Sequence, residues 1–492
     1  MRVLVSGGSG VLGRAAVRRL LARGHAVRLL ARGASEAVRG FAGPVEPWPA
    51  DLATGAGVRG AAEGCDAVLH LAGLVHEAPP GQTFHALNVE GTRRLVDEAA
   101  RAGARRFVYV SSLGAERGRS AYHRSKRAGE HAVRRFPGEW LVLRPGNVYG
   151  PGDQVISLML KALRTAPVLP VPRGRWRVQP LWVGDLAEAL ARAVEPGAPS
   201  GVELDLAGPE VVTIDEVLDH LEAITGRRPP RLRLPLLILQ AGVAAVQRLG
   251  MPIPITADQW RMLREENVLP PGRPNALSGV FGVAPVPLAV GLRRLAQQLP
   301  EKPPQEGRGP MHRQRYWAWV ERPRCGPAEA IALLRQRFAK LTDTAMEIGA
   351  DPGGGVATLA PGRTLTLTLP LRGHVQVRVL ECMAERVTCV TLKGHPLAGL
   401  IRFEARAVGD ALRLAVRSYS RAGSLPNRIA LRTAGRWVQR RAWRHLVHEL
   451  ARACGQDAPV HFAERRVPER WAAWVERWAA TAIQALHRSG SV

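Results

Sequence analysis

A glycine-rich turn between an apolar strand and an amphipathic helix begins this chain, and it constrains the fold more than any other feature. The run S-G-G-S-G-V-L-G occupies residues 6–13 and follows the apolar residues 3–5. At these spacings Gly7 permits a tight turn, Gly10 lets the backbone approach a pyrophosphate, and Gly13 lets the helix pack on the strand. The free N–H groups at the helix start favour a phosphate. The turn therefore predicts a dinucleotide-binding site.

The same rhythm of strand and helix continues over about 190 residues. Short apolar runs alternate with amphipathic stretches, as in AVRLLAR, DAVLHLAG, NVEGTRRLVDEAARAG and RRFVYVSS. This alternation predicts an α/β fold of the Rossmann type, a doubly wound parallel sheet with helices on both faces. Residues 191–300 continue with mixed helix and loop, so we assign residues 1–300 to one NAD(P)-binding domain.

The second half of the chain has a different periodicity. A polar segment rich in Pro and Gly lies within residues 301–324, which we assign to a linker. Beyond it several segments alternate at period two, beginning with TLTLTL at 364–369, and a helical stretch of roughly residues 427–453 follows them. We therefore predict a separate α+β domain over residues 325–458, an antiparallel sheet closed by a helix.

A tryptophan-bearing helix is predicted for the C-terminal residues 459–492. Trp471, Trp474 and Trp478 stand there at helical spacing. We expect these side chains to dock on the core, the alternative being a membrane-interface or partner surface.

Composition limits the partners. The 492 residues carry a formal net charge of +27 at pH 7, which would normally indicate nucleic acid or an anionic membrane. Arginine is abundant throughout, however, and no basic arm or nucleic-acid motif is present, so no nucleic-acid partner is expected. The five scattered cysteines lack metal-ligand spacing, so we expect no metal and a reduced, cytoplasmic chain. The longest apolar stretch, about residues 234–246, is too short for a membrane span, which leaves peripheral membrane contact open.

Arg32 follows the second predicted strand, at the position that selects the cofactor. NAD-preferring sites carry an acidic residue there for the ribose 2′-hydroxyl, and no acid is nearby here. Because a guanidinium can pair with a 2′-phosphate, we predict NADPH over NADH. The alternative is that Arg32 is one more surface arginine. Asp51 and Leu52, after the third strand segment, are candidates for contacts with the adenine edge.

A serine, a tyrosine and a lysine form the candidate catalytic constellation. Ser112 ends the strand FVYVSS, and the Y-x-x-x-K spacing of Tyr122 and Lys126 places both side chains on one helix face. An ammonium near a tyrosine favours the phenolate and should bring its pKa below the usual value of about 10. Ser112 would hydrogen-bond a substrate oxygen, Tyr122 would give or take its proton, and Lys126 would also hold the nicotinamide ribose.

Residues 1–300 resemble the extended and atypical short-chain dehydrogenase/reductase superfamily, which includes NAD-dependent epimerases and dehydratases. Besides the glycine turn and Y-x-x-x-K, the resemblance rests on HLAG at 70–73, NVEGT at 88–92 and RPGNVYGPGD at 144–153. It implies that further residues contribute to the cofactor site, namely Val11, Leu12, Leu71, Ala72 and Pro145.

One branch of the superfamily is particularly similar. SSLGAE, SAYHRSKRAGE, QPLWVGDLA at 179–187 and ITADQWRMLREENV at 255–268 resemble the NADPH-holding accessory subunit of respiratory complex I and its bacterial relatives. Resemblance to that subunit implies a bound nucleotide that serves structure rather than turnover. The serine, tyrosine and lysine pattern of that subunit is incomplete. In this chain Ser112, Tyr122 and Lys126 are all present, which favours activity.

Several residues near the site allow two interpretations. Nucleotide-sugar epimerases usually carry an arginine seven residues before the aspartate that corresponds to Asp185, and Val178 stands here, which argues against a nucleotide-sugar substrate. Asn88 either supports the site by a hydrogen bond or begins a helix. A further group either holds an anionic substrate or lies in a solvated loop: Arg173, Arg175 and Arg177.

Residues 325–455 resemble the START-like helix-grip fold, and more narrowly a bacterial family of uncharacterised function. The similar segments are LKGHPLAGLIRFEA at 392–405 and VRSYSRAG at 416–423. The resemblance implies a cavity for an apolar ligand. His395 is expected to fix the turn of the G-H-P motif rather than to act in catalysis.

Together these patterns predict an NADPH-dependent oxidoreductase of the extended short-chain type that acts on a carbonyl or alcohol of an apolar small molecule. The alternative is a non-catalytic NADPH-binding scaffold or sensor, associated with a respiratory or quinone-related membrane complex.

Overall fold

Fully buried apolar residues form the central strands of the N-terminal part. In β1 (Arg2–Ser6), residues 3–5 are completely buried, as is typical of a parallel sheet covered by helices on both faces.

The computed structural model describes residues 1–77, 81–153, 155–174, 176–248, 265–342, 345–346, 358–369, 373–423 and 436–488. The chain divides into two units: the first comprises residues 1–159, 168–220 and 230–292, and the second comprises 160–167, 221–229 and 293–492.

Seven strands form the main sheet of the first unit. After β1 they are β2 (Ala26–Ala31), β3 (Val45–Pro49), β4 (Ala67–His70), β5 (Arg106–Val110), β6 (Glu139–Pro145) and β11 (Val202–Leu206). Their order across the sheet is β11-β6-β5-β4-β1-β2-β3, and every pairing among them is parallel. Short two-stranded sheets contain the other strands: β7 (Val148–Tyr149), β8 (Leu169–Pro172), β9 (Arg177–Val178), β10 (Leu181–Trp182), β12 (Val212–Thr213) and β13 (Arg231–Leu234). The predicted Rossmann-type sheet is confirmed.

Helices connect these strands or follow the last of them. They are α1 (Val11–Ala22), α2 (Ala34–Ala37), α3 (Thr92–Arg101), α4 (Ala121–Val133), α5 (Ile156–Thr165), α6 (Val183–Ala193), α7 (Ile214–Thr225), α8 (Leu236–Arg248), α9 (Ala276–Gly279) and α10 (Leu288–Gln297). A π-helix, His85–Gly91, leads directly into α3. Apolar cores lie on both faces of the sheet, one with Val5 and Leu20 and the other with Leu4 and Leu95. Because the strands are parallel, the residues that end β1, β4, β5 and β6 meet at one edge.

The second unit contains an antiparallel sheet. Its strands are β14 (Arg308–Val320), β15 (Ala345–Met346), β16 (Thr364–Leu369), β17 (Gly373–Met383), β18 (Arg386–Thr391), β19 (Leu397–Val408), β20 (Ala411–Ala422) and β21 (His461–Arg466). Their order across the sheet is β15-β16-β17-β18-β19-β20-β14-β21. Its helices are α11 (Pro327–Leu341), α12 (Arg436–Ala453) and α13 (Glu469–Arg488). The separate α+β antiparallel domain is confirmed, while residues 427–435 of the predicted helical stretch lie outside the described residues.

Helices cover both faces of this sheet. Side chains of α11 and α12, such as Leu334 and Leu446, share one core with the inward residues of the strands. On the other face α13 contributes Ala472 and Val475 to a smaller core. His395 accepts a hydrogen bond at Nδ1 from the backbone N–H of Leu397 at 3.0 Å, as expected for a residue that fixes the turn.

Residues 308–320 do not belong to a linker. They form β14 and pair with both β20 and β21. Tyr316, Ala318 and Val320 are fully buried, and the tryptophans between them, Trp317 and Trp319, face away from this core. The polar composition of 301–315 concealed this alternation, so the assignment of 301–324 to a linker is wrong over the strand. The other domain bounds stay predictions.

The three tryptophans of the C-terminal helix have different surroundings. Trp478 is partly buried against the core beneath α13, whereas Trp471 and Trp474 are 54% and 49% exposed. Core docking therefore holds for Trp478 alone. Among the described helices, none is long and apolar enough to cross a bilayer.

Candidate functional site

The glycine turn has the geometry that its spacing predicts. Gly7 has φ +73°, and a Cβ there would lie 2.7 Å from the backbone nitrogen of Ala72. A Cβ at Gly13 would lie 2.1 Å from the carbonyl oxygen of Gly7, so only glycine lets α1 start this close to β1. At Gly10 the nearest atom to a Cβ would be 3.5 Å away. Gly10 is therefore not required by the protein's own packing, which is consistent with space kept for a ligand.

A matched pair of substitutions separates these two roles. We expect Gly13→Ala to destabilise the first unit by about 3 kcal/mol, because the new methyl group overlaps the backbone of the turn. Gly10→Ala should leave the thermal midpoint unchanged and lower the affinity for NADPH. Thermal unfolding and NADPH titration of both variants check this. Equal losses of stability in the two variants would contradict it.

The predicted adenosine-side residues lie near the ends of β1, β2 and β3. Arg32 is exposed directly after β2, and no hydrogen bond or ion pair involves it within the described part of the chain. The Asp51 carboxylate accepts a hydrogen bond from the backbone N–H of Ala53 at 2.9 Å. Leu52 is buried. Val11, the first residue of α1, is 37% exposed.

Helix α4 positions the tyrosine and the lysine. Ser120 caps its N-terminus by accepting a hydrogen bond from the backbone N–H of His123. One turn apart on the helix, Tyr122 and Lys126 are both buried. The hydroxyl groups of Tyr122 and Ser112 are hydrogen-bonded to each other. Helix α4 and the end of β5 thus bring all three predicted catalytic residues together.

The electrostatics of Tyr122 differ from the sequence-based expectation. Burial raises its pKa to about 12, and the hydrogen bond from Ser112 opposes this only in part. The expectation that Lys126 lowers this pKa is wrong for the protein alone. The reason is that the Lys126 ammonium donates to the carbonyl oxygen of Val110 at 2.9 Å and lies 5.0 Å from the ring centre of Tyr109. Burial in turn lowers the pKa of Lys126 to about 8, against the opposing charge of Glu130.

A buried ion pair beneath the site was not predicted. The Glu130 carboxylate is fully buried and accepts hydrogen bonds from the Ser111 hydroxyl at 2.5 Å and from Arg144 at 2.8 and 2.6 Å. Arg144 also contacts Glu203 at 2.7 Å. The residues occur in the family-like segments SAYHRSKRAGE and RPGNVYGPGD, but their pairing depends on the adjacency of β6 and α4.

Asn88 lies inside the π-helix rather than at a helix start. Its amide nitrogen donates to the Ser125 hydroxyl at 2.9 Å, and its side-chain oxygen accepts from the backbone N–H of Leu74 at 2.8 Å. It thereby ties the chain after HLAG to α4. Within that motif His70 is completely buried between Ser6 and Thr92, and burial lowers its pKa to about 3. This histidine is a neutral core residue.

Glu265 is a further residue that the sequence did not single out. Its carboxylate accepts hydrogen bonds from the backbone N–H groups of Arg119 and Ser120, both at 2.7 Å. It also contacts Nδ1 of His123 at 2.5 Å, directly beside Tyr122. Residues 255–264 of the segment similar to the complex I subunit lie outside the described residues, whereas the described part of that segment contacts the start of α4.

A cavity of about 320 Å³ lies over these side chains. Ser112, Tyr122 and Lys126 line it, and Lys126 is the one charged residue among its described lining residues. Most of the other lining residues are apolar, and they come from the predicted cofactor site and from segments later in the chain: Leu12, Leu71, Leu74, Val75, Val110, Pro145, Val148, Val155, Ile156, Met159, Val178, Pro180, Ile214 and Val217. Of the cofactor residues predicted by resemblance, Leu12, Leu71 and Pro145 line the cavity, whereas Val11 and Ala72 do not. Ala72 lies beside Gly7.

Of the arginines that could have bound an anionic substrate, Arg173 and Arg177 do not line this cavity. Arg177 pairs with Glu266 at 2.7 Å on the surface, and Arg173 is exposed. Arg175 lies outside the described residues. A solvated loop is the better interpretation for Arg173 and Arg177.

The residues present fit a dinucleotide. The N-terminus of α1 has no side-chain cap and no acidic residue in its first turn, so its N–H groups are available to a phosphate. The open space beside Gly10 follows the carboxyl end of β1, and the exposed Arg32 follows the carboxyl end of β2. Helix α1 begins at this same edge of the sheet. Within the described ranges, no cluster of His, Cys, Asp or Glu could hold a metal ion.

The parallel sheet, the glycine turn and the serine, tyrosine and lysine at its carboxyl edge define a nucleotide-binding domain of the short-chain dehydrogenase/reductase class. The chain belongs to the NAD dependent epimerase/dehydratase family, whose family profile matches residues 3–203. Residues 344–449 match a domain of unknown function, DUF1990, in agreement with the predicted uncharacterised family.

Individual relatives match the N-terminal half. Ceramide reductase from Caulobacter vibrioides is 36% identical over 236 residues, which cover 47% of this chain and 73% of that protein. Sterol demethylase protein B from Methylococcus capsulatus is 33% identical over 281 residues, covering 50% and 81%. NADH dehydrogenase (ubiquinone) 1 alpha subcomplex subunit 9 from Dictyostelium discoideum is 29% identical over 223 residues, covering 44% and 62%. The predicted likeness to the complex I subunit branch is confirmed.

Proposed function

We propose that this protein is an NADPH-dependent reductase that converts a carbonyl group of a bulky apolar molecule into an alcohol. One observation carries the proposal: Tyr122, hydrogen-bonded to Ser112, lines a cavity whose other walls are mainly apolar. A ketone oxygen could accept hydrogen bonds from the two hydroxyl groups while the rest of the molecule contacts the apolar walls.

The protonation state of Tyr122 favours reduction over oxidation at neutral pH. With its pKa raised to about 12, Tyr122 holds its proton and can donate it to the oxygen of a carbonyl substrate. Ser112 would bind the same oxygen and orient it. A bound NADPH supplies the hydride that the carbonyl carbon receives. Hydride and proton together convert the carbonyl into an alcohol.

Lys126 would hold the nucleotide and support the proton donor. Its ammonium now donates to the carbonyl of Val110, where a bound ribose hydroxyl could take part in the same network. Because burial lowers the pKa of Lys126 to about 8, the ammonium is present at neutral pH and is lost as the pH rises above that value.

The substrate class follows from the lining of the cavity and from the relatives. Val178 stands where nucleotide-sugar enzymes of the superfamily usually have an arginine, and Lys126 alone is charged among the described lining residues. The names ceramide reductase and sterol demethylase protein B both denote lipid chemistry. We therefore propose a lipid-like ketone as substrate. Such molecules reside in bilayers, so we also propose that the protein works at the periphery of a membrane.

The test is NADPH consumption with a steroid ketone and a long-chain aliphatic ketone, each presented in detergent micelles. Turnover of either ketone, with product alcohol identified by mass spectrometry, supports the proposal. The dissociation rate of NADPH is measured in the same preparation by quenching of tryptophan fluorescence. Bound NADPH that does not exchange, without turnover of any ketone, would favour the scaffold function instead.

We propose NADPH as the preferred nucleotide because Arg32 is exposed at the end of β2 without a carboxylate partner among the described residues. Arg32→Ala should weaken NADPH binding about 30-fold, from the loss of charge-assisted hydrogen bonds to the 2′-phosphate, and leave NADH binding unchanged. Fluorescence titration with both nucleotides measures this, and Arg39→Ala, also an exposed arginine, is the matched control. An unchanged ratio of the two affinities in Arg32→Ala would make Arg32 an ordinary surface residue.

A further inference from the structure

Two adjacent strands of the second unit present arginine and tryptophan on the side of the sheet opposite to α11 and α12. Alternate residues of β14 point to that side, because Tyr316, Ala318 and Val320 are buried on the other. The pairing with β20 places Arg315 opposite Arg417 and Trp319 opposite Arg413. We call this the arginine–tryptophan face, which consists of Arg313, Arg315, Trp317, Trp319, Arg413 and Arg417.

Positive charge on this face is poorly compensated. Arg417 pairs with Glu404 at 2.5 Å, but within the described residues no carboxylate lies at ion-pair distance from Arg313, Arg315 or Arg413. Burial, and then the charges of Arg413, Arg417 and Arg313, lower the pKa of Arg315, and the charge of Glu404 opposes them only in part. Like charges held this close favour an anionic partner, since a partner of opposite sign would relieve their repulsion.

Each tryptophan of the face already has an aromatic or guanidinium neighbour. Trp317 is stacked on His461, with ring centres 5.5 Å apart, and the guanidinium of Arg315 lies 5.4 Å from its centre. The guanidinium of Arg413 lies 5.7 Å from the centre of Trp319, which is 37% exposed. Indole rings that already contact a histidine or an arginine and remain partly exposed suit the interfacial region of a bilayer better than base stacking.

Helix α13 extends the same surface. Trp471, Trp474 and Trp478 are spaced three and four residues apart, so they follow one flank of the helix. The Trp478 ring lies 4.6 Å from the guanidinium of Arg402, which pairs across the strands with Arg417. The exposed Trp471 and Trp474 therefore lie on the flank of α13 that borders the arginine–tryptophan face.

We propose that the arginine–tryptophan face, together with Trp471 and Trp474, docks this protein on an anionic phospholipid bilayer. The arginines bind lipid phosphates, and the indole edges enter the headgroup layer. Two adjacent strands and the flank of α13 beside them can meet a planar surface with many weak contacts at once. The proposal deepens the membrane-peripheral placement given above but does not depend on reductase activity, because lipid binding is measured without nucleotide or substrate.

The experiment is flotation of the full-length protein with vesicles of phosphatidylcholine, alone or mixed with phosphatidylglycerol. We expect binding only to the anionic vesicles, with a blue shift of tryptophan emission and weakening at high salt. Arg315→Gln/Arg413→Gln should lower the partition coefficient about 25-fold, on the basis of about fivefold for each charge removed. Both Trp471→Ala and Trp474→Ala should reduce the emission shift.

A matched control removes the same charge elsewhere in the second unit. Arg337 and Arg452 are exposed on α11 and α12, on the other side of the sheet, so Arg337→Gln/Arg452→Gln should bind vesicles like the wild type. Thermal midpoints and NADPH titrations of all variants show that folding and the nucleotide site are intact. Equal losses in the two double variants, or no vesicle binding by the wild type at low salt, would overturn the proposal. Binding of a single-stranded oligonucleotide in place of anionic vesicles would overturn it too.

Discussion

Replacing Tyr122 by Phe is expected to lower carbonyl reduction roughly 1,000-fold, which is within the usual contribution of a general acid. The phenol is the group that donates to the substrate oxygen, and its pKa of about 12 keeps it protonated throughout the neutral range. The ring stays in place in the variant, so we expect NADPH affinity to remain within about twofold of the wild type. Steady-state NADPH consumption and equilibrium titration measure the two effects.

Tyr149→Phe is the matched control for this variant. Tyr149 lines the same cavity and is also buried, but its hydroxyl lies against Gly291, where a Cβ would come within 1.9 Å of it. Loss of that hydroxyl should change turnover only a few-fold, since it packs against α10 at Gly291 and is not assigned to the substrate oxygen. Turnover retained by Tyr122→Phe would contradict the assigned proton donor. A similar loss in both variants would indicate a general effect on the cavity.

Local sequence patterns were sufficient for the glycine turn and for the Tyr122–Lys126 pair. In both cases the relevant geometry lies within a few residues: a bend at Gly7 followed by a helix, and one turn of α4. The end of β5 was equally clear, because an apolar strand that stops at two serines must expose them at the carboxyl edge of a parallel sheet. These features depend on backbone rules that act at short range.

The protonation of the site could not be predicted in the same way. The expected depression of the Tyr122 pKa assumed that a lysine four residues away acts mainly on the tyrosine. The lysine donates instead to Val110, a residue of the neighbouring strand, and burial by distant segments dominates both groups. Burial is a property of the folded chain, so residue spacing alone did not contain it.

Strand β14 shows a second limit of sequence reasoning. Its outward positions from Arg313 to Trp319 are arginines and tryptophans, and its first residues include Gly and Pro, so the segment matched a linker in composition. Its partners β20 and β21 follow about 100 and 150 residues later in the chain. A strand whose two neighbours are this distant carries no turn signal of its own, and only its alternate burial identifies it.

Converting Glu130 to Gln is expected to destabilise the first unit by about 3 kcal/mol. The change removes one partner of a buried, hydrogen-bonded ion pair and leaves the Arg144 guanidinium with its second contact, Glu203. Denaturant unfolding monitored by tryptophan fluorescence measures the loss. Glu203→Gln is the control, because its carboxylate is more exposed than that of Glu130 and should contribute less.

The same substitution should also change the pH dependence of reduction. The Glu130 charge raises the pKa of Lys126 against the effect of burial, and their balance lies at about 8. In the wild type kcat/KM should therefore fall as the pH rises through about 8, since the ammonium form is lost. Without the negative charge the pKa of Lys126 must decrease, so the fall of kcat/KM in Glu130→Gln should begin at lower pH. Glu203→Gln should follow the wild-type profile.

Lys126→Arg, which stays charged, should lose the alkaline fall of kcat/KM altogether. An alkaline limb that is the same in Glu130→Gln and in the wild type would show that another group controls it, and Lys126 would then have no charged role in the reaction.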